Sequence, residues 1–231
     1  MKDLRGKVVV ITGASSGFGK GAALKFAEAG ANLALAARRA EQLEELAREC
    51  EGLGVKALAV PTDVSRREEV ERLCEAAVRA FGRIDVWVND AGVGALGRFE
   101  RIPLDVHEHV IRTELLGSLY GSYFAYRQFL KQEAGVLINI SSELGKHTVP
   151  YYASYAAAKH GVAGLSDALR QEIEQHKVKG VHVCLVMPAA PDTPFLADTI
   201  VRLARDPEGQ EIGSADGDAP GAMMPPLRRR A

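Results

Sequence analysis

A tyrosine and a lysine stand four residues apart in the segment YAAAK, at Tyr155 and Lys159. On a helix, residues at this spacing lie one turn apart on the same face. A phenol ordinarily titrates near pH 10, and a neighbouring ammonium stabilises the phenolate and lowers that pKa. Ser142 precedes Tyr155 in the segment INISSELG, directly after an apolar run. Its hydroxyl could hold a substrate oxygen while Tyr155 moves a proton, which is chemistry suited to a carbonyl and alcohol pair.

A glycine-rich segment, TGASSGFG, occupies residues 12–19 between the first predicted strand and the first predicted helix. Small residues at such a turn let the backbone approach a pyrophosphate, whose charge is met by the amides at the helix N-terminus. A purely structural turn is the alternative, and the position between strand and helix favours phosphate binding. The residues expected to line this dinucleotide site are Gly13, Ser15, Ser16, Gly17, Phe18 and Gly19.

The second predicted strand ends in Ala37, Arg38 and Arg39. Sites that prefer NAD usually place a carboxylate here to bind both ribose hydroxyls, and this chain has none. Arg38 instead offers a guanidinium to a 2′-phosphate. The sequence therefore predicts a preference for NADP(H), with NAD(H) as the second choice and solvated loop charges as the alternative interpretation of the two arginines.

Two further strand ends carry candidate cofactor contacts. Asp63 and Val64 close the third strand, where they would fit an adenine contact. Asn89, Ala91 and Gly92 follow the fourth strand, where their backbone would lie beside the cofactor ribose. Taken alone, each is typical of an ordinary strand-end turn, so their interpretation depends on the glycine-rich segment.

Short apolar runs alternate with longer helical patterns, which is typical of a parallel sheet covered by helices on both faces. We therefore predict an α/β protein with a doubly wound parallel sheet, that is, a three-layer α/β/α Rossmann fold. The predicted strands are 7–11, 32–36, 55–60, 84–88, 135–140 and 181–186. The predicted helices are 17–29, 40–51, 66–81, 106–131 and 152–176.

With these motifs together, residues 4–196 resemble the short-chain dehydrogenases/reductases. The motifs that carry the resemblance are TGASSGFG, Asp63-Val64, NDAG at 89–92, INISS at 138–142, YAAAK at 155–159 and PAAPDTPF at 188–195. The resemblance implies that Ser142, Tyr155 and Lys159 are catalytic, and that Tyr155 and Lys159 also contact the cofactor. It further implies cofactor contacts at Pro188 and at Thr193, the latter to the nicotinamide carboxamide. Members of the family usually form dimers or tetramers through two long helices, so we expect a homodimer or homotetramer, although the apolar stripes of these helices could equally be core.

The sequence departs from the family pattern at several positions. Glu114 in ELLG replaces the asparagine that supports a water-mediated proton relay from the lysine, so it could hold a water or pair with Lys159. Asp90 replaces an amide with a structural role, and Ala189 replaces the glycine of the usual Pro-Gly pair. A helix is predicted near 196–205, but no convincing seventh strand follows, which leaves an exposed sheet edge or one covered by a partner.

The domain organisation follows from composition. We predict one catalytic dinucleotide-binding domain over residues 1–205 and a flexible tail over 206–231, which is rich in Gly and Pro. The formal net charge of -1 argues against a nucleic-acid partner. No apolar run approaches the ~20 residues of a membrane span, and the three cysteines lack metal-ligand spacing. We expect a cytoplasmic protein without a metal site, and a small-molecule carbonyl or alcohol as its substrate.

Two functions fit these features. The first is an NADP-dependent oxidoreductase of the short-chain dehydrogenase/reductase type that interconverts a carbonyl and an alcohol, supported by Ser142, Tyr155 and Lys159. The second is a catalytically weak NADP-binding sensor or interaction protein of the same fold, supported by Glu114 and the missing seventh strand.

Overall fold

The computed structural model describes residues 4–189 and 200–201. Six parallel strands form one sheet in the order β3-β2-β1-β4-β6-β7. The strands of this sheet are β1 (Val8–Thr12), β2 (Asn32–Ala37), β3 (Ala57–Pro61), β4 (Val86–Asn89), β6 (Gly135–Ile140) and β7 (Val181–Val186). The strand order reverses between β1 and β4, and this reversal is where doubly wound sheets bind ligands. The predicted fold class is therefore confirmed.

Helices cover both faces of the sheet. The α-helices are α1 (Gly17–Glu28), α2 (Ala40–Gly52), α3 (Arg67–Phe81), α4 (Leu104–Ile111), α5 (Gly117–Gln132) and α6 (Ala153–Gln175). Strand β1 is buried along its whole length: Val10 packs in one core cluster with helices α3 and α5, and Ile11 packs in the other with α1 and α2. This two-sided burial explains why the strands are near-continuous apolar runs instead of alternating ones.

The predicted helix over 106–131 is wrong as a single regular helix. Helix α4 ends at Ile111, residues Arg112–Leu116 form a π-helical turn, and α5 begins at Gly117. A π turn inserts an extra residue into the helical repeat and is frequent at functional sites. Because it does not interrupt the apolar stripe on which the prediction depended, the sequence pattern conceals it.

A small second sheet was not predicted. Strand β5 (Ala95–Leu96) pairs in parallel with β8 (Ile200–Val201). The predicted helix near 196–205 is therefore wrong at residues 200 and 201, where two β-branched residues favour the extended backbone and find a strand partner. The rest of that segment, the Thr193 contact and the tail over 206–231 lie outside the described residues.

Candidate functional site

The candidate site lies at the carboxyl edge of the sheet, where β1, β4 and β6 end side by side. Strand β1 leads into the glycine-rich loop, and β4 leads into the NDAG loop over residues 89–92. The hydroxyl of Thr12 joins the two loops, because it accepts hydrogen bonds from the amides of Asp90 (3.1 Å) and Ala91 (3.2 Å). Strand β6 leads to Ser142 in the same layer.

The glycine-rich loop has the backbone shape that a phosphate cradle needs. Gly13 has φ +72°, and a Cβ added there would lie 2.7 Å from Cα of Ala91. Only glycine allows this conformation and this contact together. Helix α1 then begins at Gly17 with Ser16 as its N-cap, and the Ser16 side chain makes no capping hydrogen bond. The N-terminus of α1 is thus oriented to meet an anion at this edge.

The arginines that follow β2 have different surroundings. Arg38 is exposed. Arg39, which the sequence reasoning did not assign to the site, donates hydrogen bonds at 3.0 Å to the hydroxyls of both Ser15 and Ser16. Its guanidinium therefore lies against the glycine-rich loop. The signal that could have identified it is its position two residues beyond the strand end, adjacent to Arg38.

Three further predicted cofactor contacts, Asp63, Val64 and Pro188, follow strands β3 and β7. Asp63 is held in a tight turn, because its Oδ1 accepts hydrogen bonds from the Ser65 amide (3.0 Å) and hydroxyl (2.7 Å). Val64 is buried beside α5. Pro188 follows β7 and its carbonyl accepts a hydrogen bond from the amide of Glu143, next to Ser142.

The side chain of Asn89 points into the core and not toward the ligand edge. Its amide oxygen accepts a hydrogen bond from Trp87 Nε1 at 2.8 Å, and its amide nitrogen donates to Asn139 Oδ1 at 2.8 Å. Asn139 in turn donates to Ser166 Oγ at 2.9 Å. This buried polar chain joins β4 to β6 and to α6, so it fixes the strand ends from which the site loops emerge.

Ser142, Tyr155 and Lys159 converge as the sequence predicted. The Ser142 side chain lies close enough to Tyr155 to lower the pKa of the phenol. Tyr155 is buried, with 8% of its surface exposed, and Lys159 Nζ lies 5.5 Å from the centre of the Tyr155 ring. The Ser142 hydroxyl also accepts a hydrogen bond from the amide of Leu144 at 3.2 Å, which fixes its orientation at the end of β6.

Glu114 lies in the π-helical turn and pairs with Lys159. The distance from Glu114 Oε2 to Lys159 Nζ is 2.7 Å. Both side chains are buried, and the lysine also donates to the carbonyl of Ile140 at 2.9 Å. Of the two alternatives that the sequence left open at this position, the structure has the ion pair.

The electrostatics of Tyr155 differ from the expectation. Burial raises the pKa of Tyr155 above its ordinary value, the Lys159 ammonium opposes that change, and the Glu114 carboxylate reinforces it. Lys159 therefore lowers the pKa of Tyr155 as expected, but desolvation and a second, negative charge outweigh the ammonium. Burial by itself lowers the pKa of Lys159, but Glu114, Tyr155 and Asp90 raise it, so the ammonium is retained.

Asp90 adds a half-buried carboxyl group to the site. Burial raises the pKa of Asp90 to about 7; Lys159 lowers it, Glu114 raises it, and a hydrogen bond from the Gly19 amide lowers it. The carboxyl group therefore links the NDAG loop to the N-terminus of α1. An asparagine at this position would be uncharged.

The residues of this edge fit a dinucleotide. A backbone cradle is supplied by the glycine-rich loop, where a Cβ at Gly13 would clash, and by the uncapped start of α1. The two arginines after β2 supply positive charge. Across residues 4–189 and 200–201, no group of three or more His, Cys, Asp and Glu side chains could hold a metal ion. In the same part of the chain, no helix has the length and apolar character needed to cross a bilayer.

The sheet order and the helices on both faces define a Rossmann-type α/β/α fold. The short chain dehydrogenase family matches residues 7–201. The chain is 36% identical over 196 residues to an uncharacterized oxidoreductase of Bacillus subtilis (strain 168), covering 84% of this chain and 55% of that relative. It belongs to the short-chain dehydrogenase/reductase family of oxidoreductases, and it spans about half the length of this relative.

Two solved structures have the same fold. A short-chain dehydrogenase/reductase from Burkholderia phymatum in complex with NAD is 32% identical with a TM-score of 0.82, over 86% of this chain and 70% of that one. An alcohol dehydrogenase from the archaeon Thermococcus sibiricus, complexed with 5-hydroxy-NADP, is 30% identical with a TM-score of 0.77, over 84% and 80%. Members of this fold thus bind either nicotinamide dinucleotide.

Proposed function

We propose that this protein is an NADP(H)-dependent oxidoreductase that interconverts a carbonyl and an alcohol. The observation that carries the proposal is that Lys159 Nζ lies 5.5 Å from the centre of the buried Tyr155 ring, with the Ser142 side chain acting on the same tyrosine. These groups lie at the same sheet edge as the glycine-rich loop. A proton-transferring hydroxyl beside a dinucleotide site is what carbonyl reduction requires.

Each side chain has a distinct role in this proposal. A bound nicotinamide would supply or accept the hydride. Tyr155 holds the proton that is exchanged with the substrate oxygen, and Ser142 orients that oxygen with its hydroxyl. Lys159 holds the nicotinamide ribose and contributes its positive charge. The other residues proposed to contact the cofactor are Gly13, Ser15, Ser16, Gly17, Phe18, Gly19, Arg38, Asp63, Val64, Asn89, Ala91, Gly92, Pro188 and Thr193.

The preference for NADP(H) is supported by the end of β2. Ala37 leaves no carboxylate at this position to repel a 2′-phosphate. Arg38 is exposed and available to bind one, and Arg39 lies on the hydroxyls of the glycine-rich loop, where its charge adds to that of Arg38. A guanidinium binds phosphate oxygens through two parallel N–H groups, which favours the phosphorylated dinucleotide.

We also propose that the chain forms a homodimer or homotetramer through α5. Leu119, Tyr123 and Leu130 are 39%, 53% and 42% exposed. At their spacing they share one face of the helix. Light scattering of the purified protein tests this, and a Tyr123→Asp variant that remains an oligomer would contradict the use of this face.

A second function, a weakly active NADP-binding sensor or interaction protein, is favoured by one observation. The Lys159 ammonium is already paired with the Glu114 carboxylate at 2.7 Å. An asparagine at position 114 would carry no negative charge and could not form this ion pair. In this case the protein would bind the cofactor and turn over substrates slowly or not at all.

The experiment that separates these functions begins with two titrations of the protein, one with NADPH and one with NADH. Nucleotide fluorescence and calorimetry measure the binding in each. A panel of carbonyl substrates is then tested with the wild type and Tyr155→Phe. We expect tighter binding of NADPH and a loss of turnover of about 100-fold or more in the variant. Tyr126→Phe, which removes a tyrosine hydroxyl outside the candidate site and outside the proposed interface, is the matched control. Binding without turnover supports the sensor, and no binding of either nucleotide contradicts both functions.

A further inference from the structure

Glu114 is the most deeply buried carboxylate of the described residues, with 0% of its surface exposed. Its Oε1 accepts a hydrogen bond from the amide of Val93 at 2.8 Å, and its Oε2 lies 2.7 Å from Lys159 Nζ. A Cβ at Gly92 would lie 2.6 Å from Oε1, so the loop after β4 is fitted closely around this carboxylate. The side chain therefore joins three elements: the π-helical turn, the loop after β4, and α6.

The pairing restricts what the Lys159 ammonium can do. One of its N–H groups donates to the carbonyl of Ile140 at 2.9 Å, and Glu114 Oε2 lies close to the same nitrogen. Nζ remains 5.5 Å from the centre of the Tyr155 ring. A buried ammonium with a carboxylate at contact distance presents a dipole to its other neighbours in place of a full positive charge, and a dipole stabilises a phenolate less than an isolated cation does.

The groups that face Tyr155 come from four elements. Lys159 lies on α6, Tyr152 is the N-cap residue of that helix, Glu114 is contributed by the π-helical turn, and Ser142 follows β6. Asp90, from the loop after β4, acts on the Lys159 end of the cluster. Burial and Glu114 raise the pKa of Tyr155, while Lys159 and the Ser142 hydrogen bond lower it. Burial raises the pKa of Glu114 too, while Lys159 and the Val93 amide lower it, so the negative charge of Glu114 depends on its pairing with Lys159. An uncharged residue at position 114 would remove that charge and leave the other groups in place.

We propose that Glu114 is a positioning residue that holds Lys159 in a buried ion pair and so keeps Tyr155 in its proton-donating form at neutral pH. This inference rests on the proposed function, since it assigns the protonation state with which the resting site meets a carbonyl. In reduction, the carbonyl carbon gains a hydride from the reduced nicotinamide and the carbonyl oxygen gains the Tyr155 proton. Tyr155 is left as a phenolate, which regains a proton from water.

The reverse reaction starts from the phenolate, so the same carboxylate moves alcohol oxidation to higher pH. The overall equilibrium between carbonyl and alcohol is unchanged, because Glu114 alters the protonation of the enzyme and not the free energies of the free reactants. What changes is the pH at which Tyr155 loses its proton, and so the pH at which the protonated form needed for reduction gives way to the phenolate needed for oxidation.

The direct test is a spectroscopic titration of Tyr155 that does not depend on activity. Tyrosinate absorbs near 295 nm, and the difference between the titrations of wild type and Tyr155→Phe isolates one residue among six tyrosines. We expect Tyr155 to remain protonated through neutral pH in the wild type and to titrate about one pH unit or more lower in Glu114→Gln. Glu108→Gln, an exposed residue of α4 that faces Arg112, is the matched control and should change nothing.

Activity provides a second readout in the same variants. The pH at which kcat/KM for oxidation reaches its plateau should fall in Glu114→Gln by the same amount as the spectroscopic midpoint, and Glu114→Asp should restore most of the wild-type profile. A wild-type Tyr155 that titrates near pH 7, or a midpoint unchanged in Glu114→Gln, would overturn the inference. If Glu114→Gln does not fold, Glu114→Asn, which also removes the charge, takes its place in the same comparison. A wild type without cofactor binding or turnover would contradict the proposed function but leave this titration interpretable.

Discussion

Replacing Asn89 by alanine should destabilise the protein strongly, although Asn89 makes no side-chain contact at the ligand edge. Only 3% of its surface is exposed. Its amide oxygen accepts a hydrogen bond from Trp87 Nε1, and its amide nitrogen donates to Asn139 Oδ1 and to the carbonyl of Ser118, at 2.8, 2.8 and 3.2 Å. Alanine removes these contacts, together with a fourth to the Ser122 hydroxyl at 3.3 Å, and leaves each partner buried in the core.

The magnitude follows from the number of groups that lose a partner. A buried donor or acceptor that is left unsatisfied costs about 1–3 kcal/mol. Asn139 still accepts a hydrogen bond from Ser122 and donates one to Ser166, whereas the Trp87 indole N–H loses its partner, so the separate costs do not simply add. We expect the free energy of unfolding to fall by about 3–5 kcal/mol. Native proteins typically have a free energy of unfolding of ~5–15 kcal/mol, so the variant should still fold.

The assay is urea unfolding followed by intrinsic fluorescence and by circular dichroism. Trp87 is the only tryptophan of the chain, so its emission reports on the altered hydrogen bond itself. Asn32→Ala is the matched control, because Asn32 Oδ1 accepts a hydrogen bond from the Lys56 amide at 2.9 Å in an exposed setting. That variant should lose about 1 kcal/mol or less. A loss in Asn89→Ala no larger than in the control would refute the account of this buried network.

Two further predictions concern single charges. Arg38→Asp should lower the preference for NADPH over NADH by about tenfold, because one charge-assisted contact to a 2′-phosphate is worth roughly 1.5–3 kcal/mol; nucleotide titrations check this against Arg48→Asp, the same change at an exposed position of α2. Asp85→Asn should cost about 1–3 kcal/mol at neutral pH, since this carboxylate accepts a hydrogen bond from the Val8 amide at 3.0 Å. Burial opposes ionisation of Asp85, but its hydrogen bonds to Arg83, Val8 and Lys7 lower its pKa overall, so the stabilisation is full above about pH 4 and is lost as the pH falls through the folded-state value. The unfolding curves of wild type and Asp85→Asn should therefore differ at pH 7 and converge at low pH. The exposed Asp167→Asn is the control and should match wild type at both pH values.

Much of the fold could be predicted from local pattern. The apolar runs of the main sheet are long because both faces of each strand are buried, as Val10 and Ile11 show by packing in opposite clusters. The order of strand, glycine-rich turn and helix is equally local, since the backbone conformation at Gly13 requires that residue type. The spacing of Tyr155 and Lys159 on one helix face needs no tertiary information.

Other features depend on contacts between segments that are distant in sequence. The π-helical turn is concealed in an apolar stripe that continues through it, and the pairing of β5 with β8 joins residues about 100 positions apart. Arg39 could be assigned to the glycine-rich loop only once β1 and β2 were placed side by side.

The protonation state of the candidate site is the clearest case of a property that only the tertiary structure decided. The sequence alone determined that a tyrosine, a lysine and a strand-end serine would share one edge of a doubly wound sheet, because periodicity and turn chemistry are local. The direction in which the pKa of Tyr155 moves was set by burial and by Glu114, which lies 45 residues from Lys159 in the sequence and 2.7 Å from it in the structure. Desolvation and Coulomb interactions depend on distance in space, and the sequence does not state that distance.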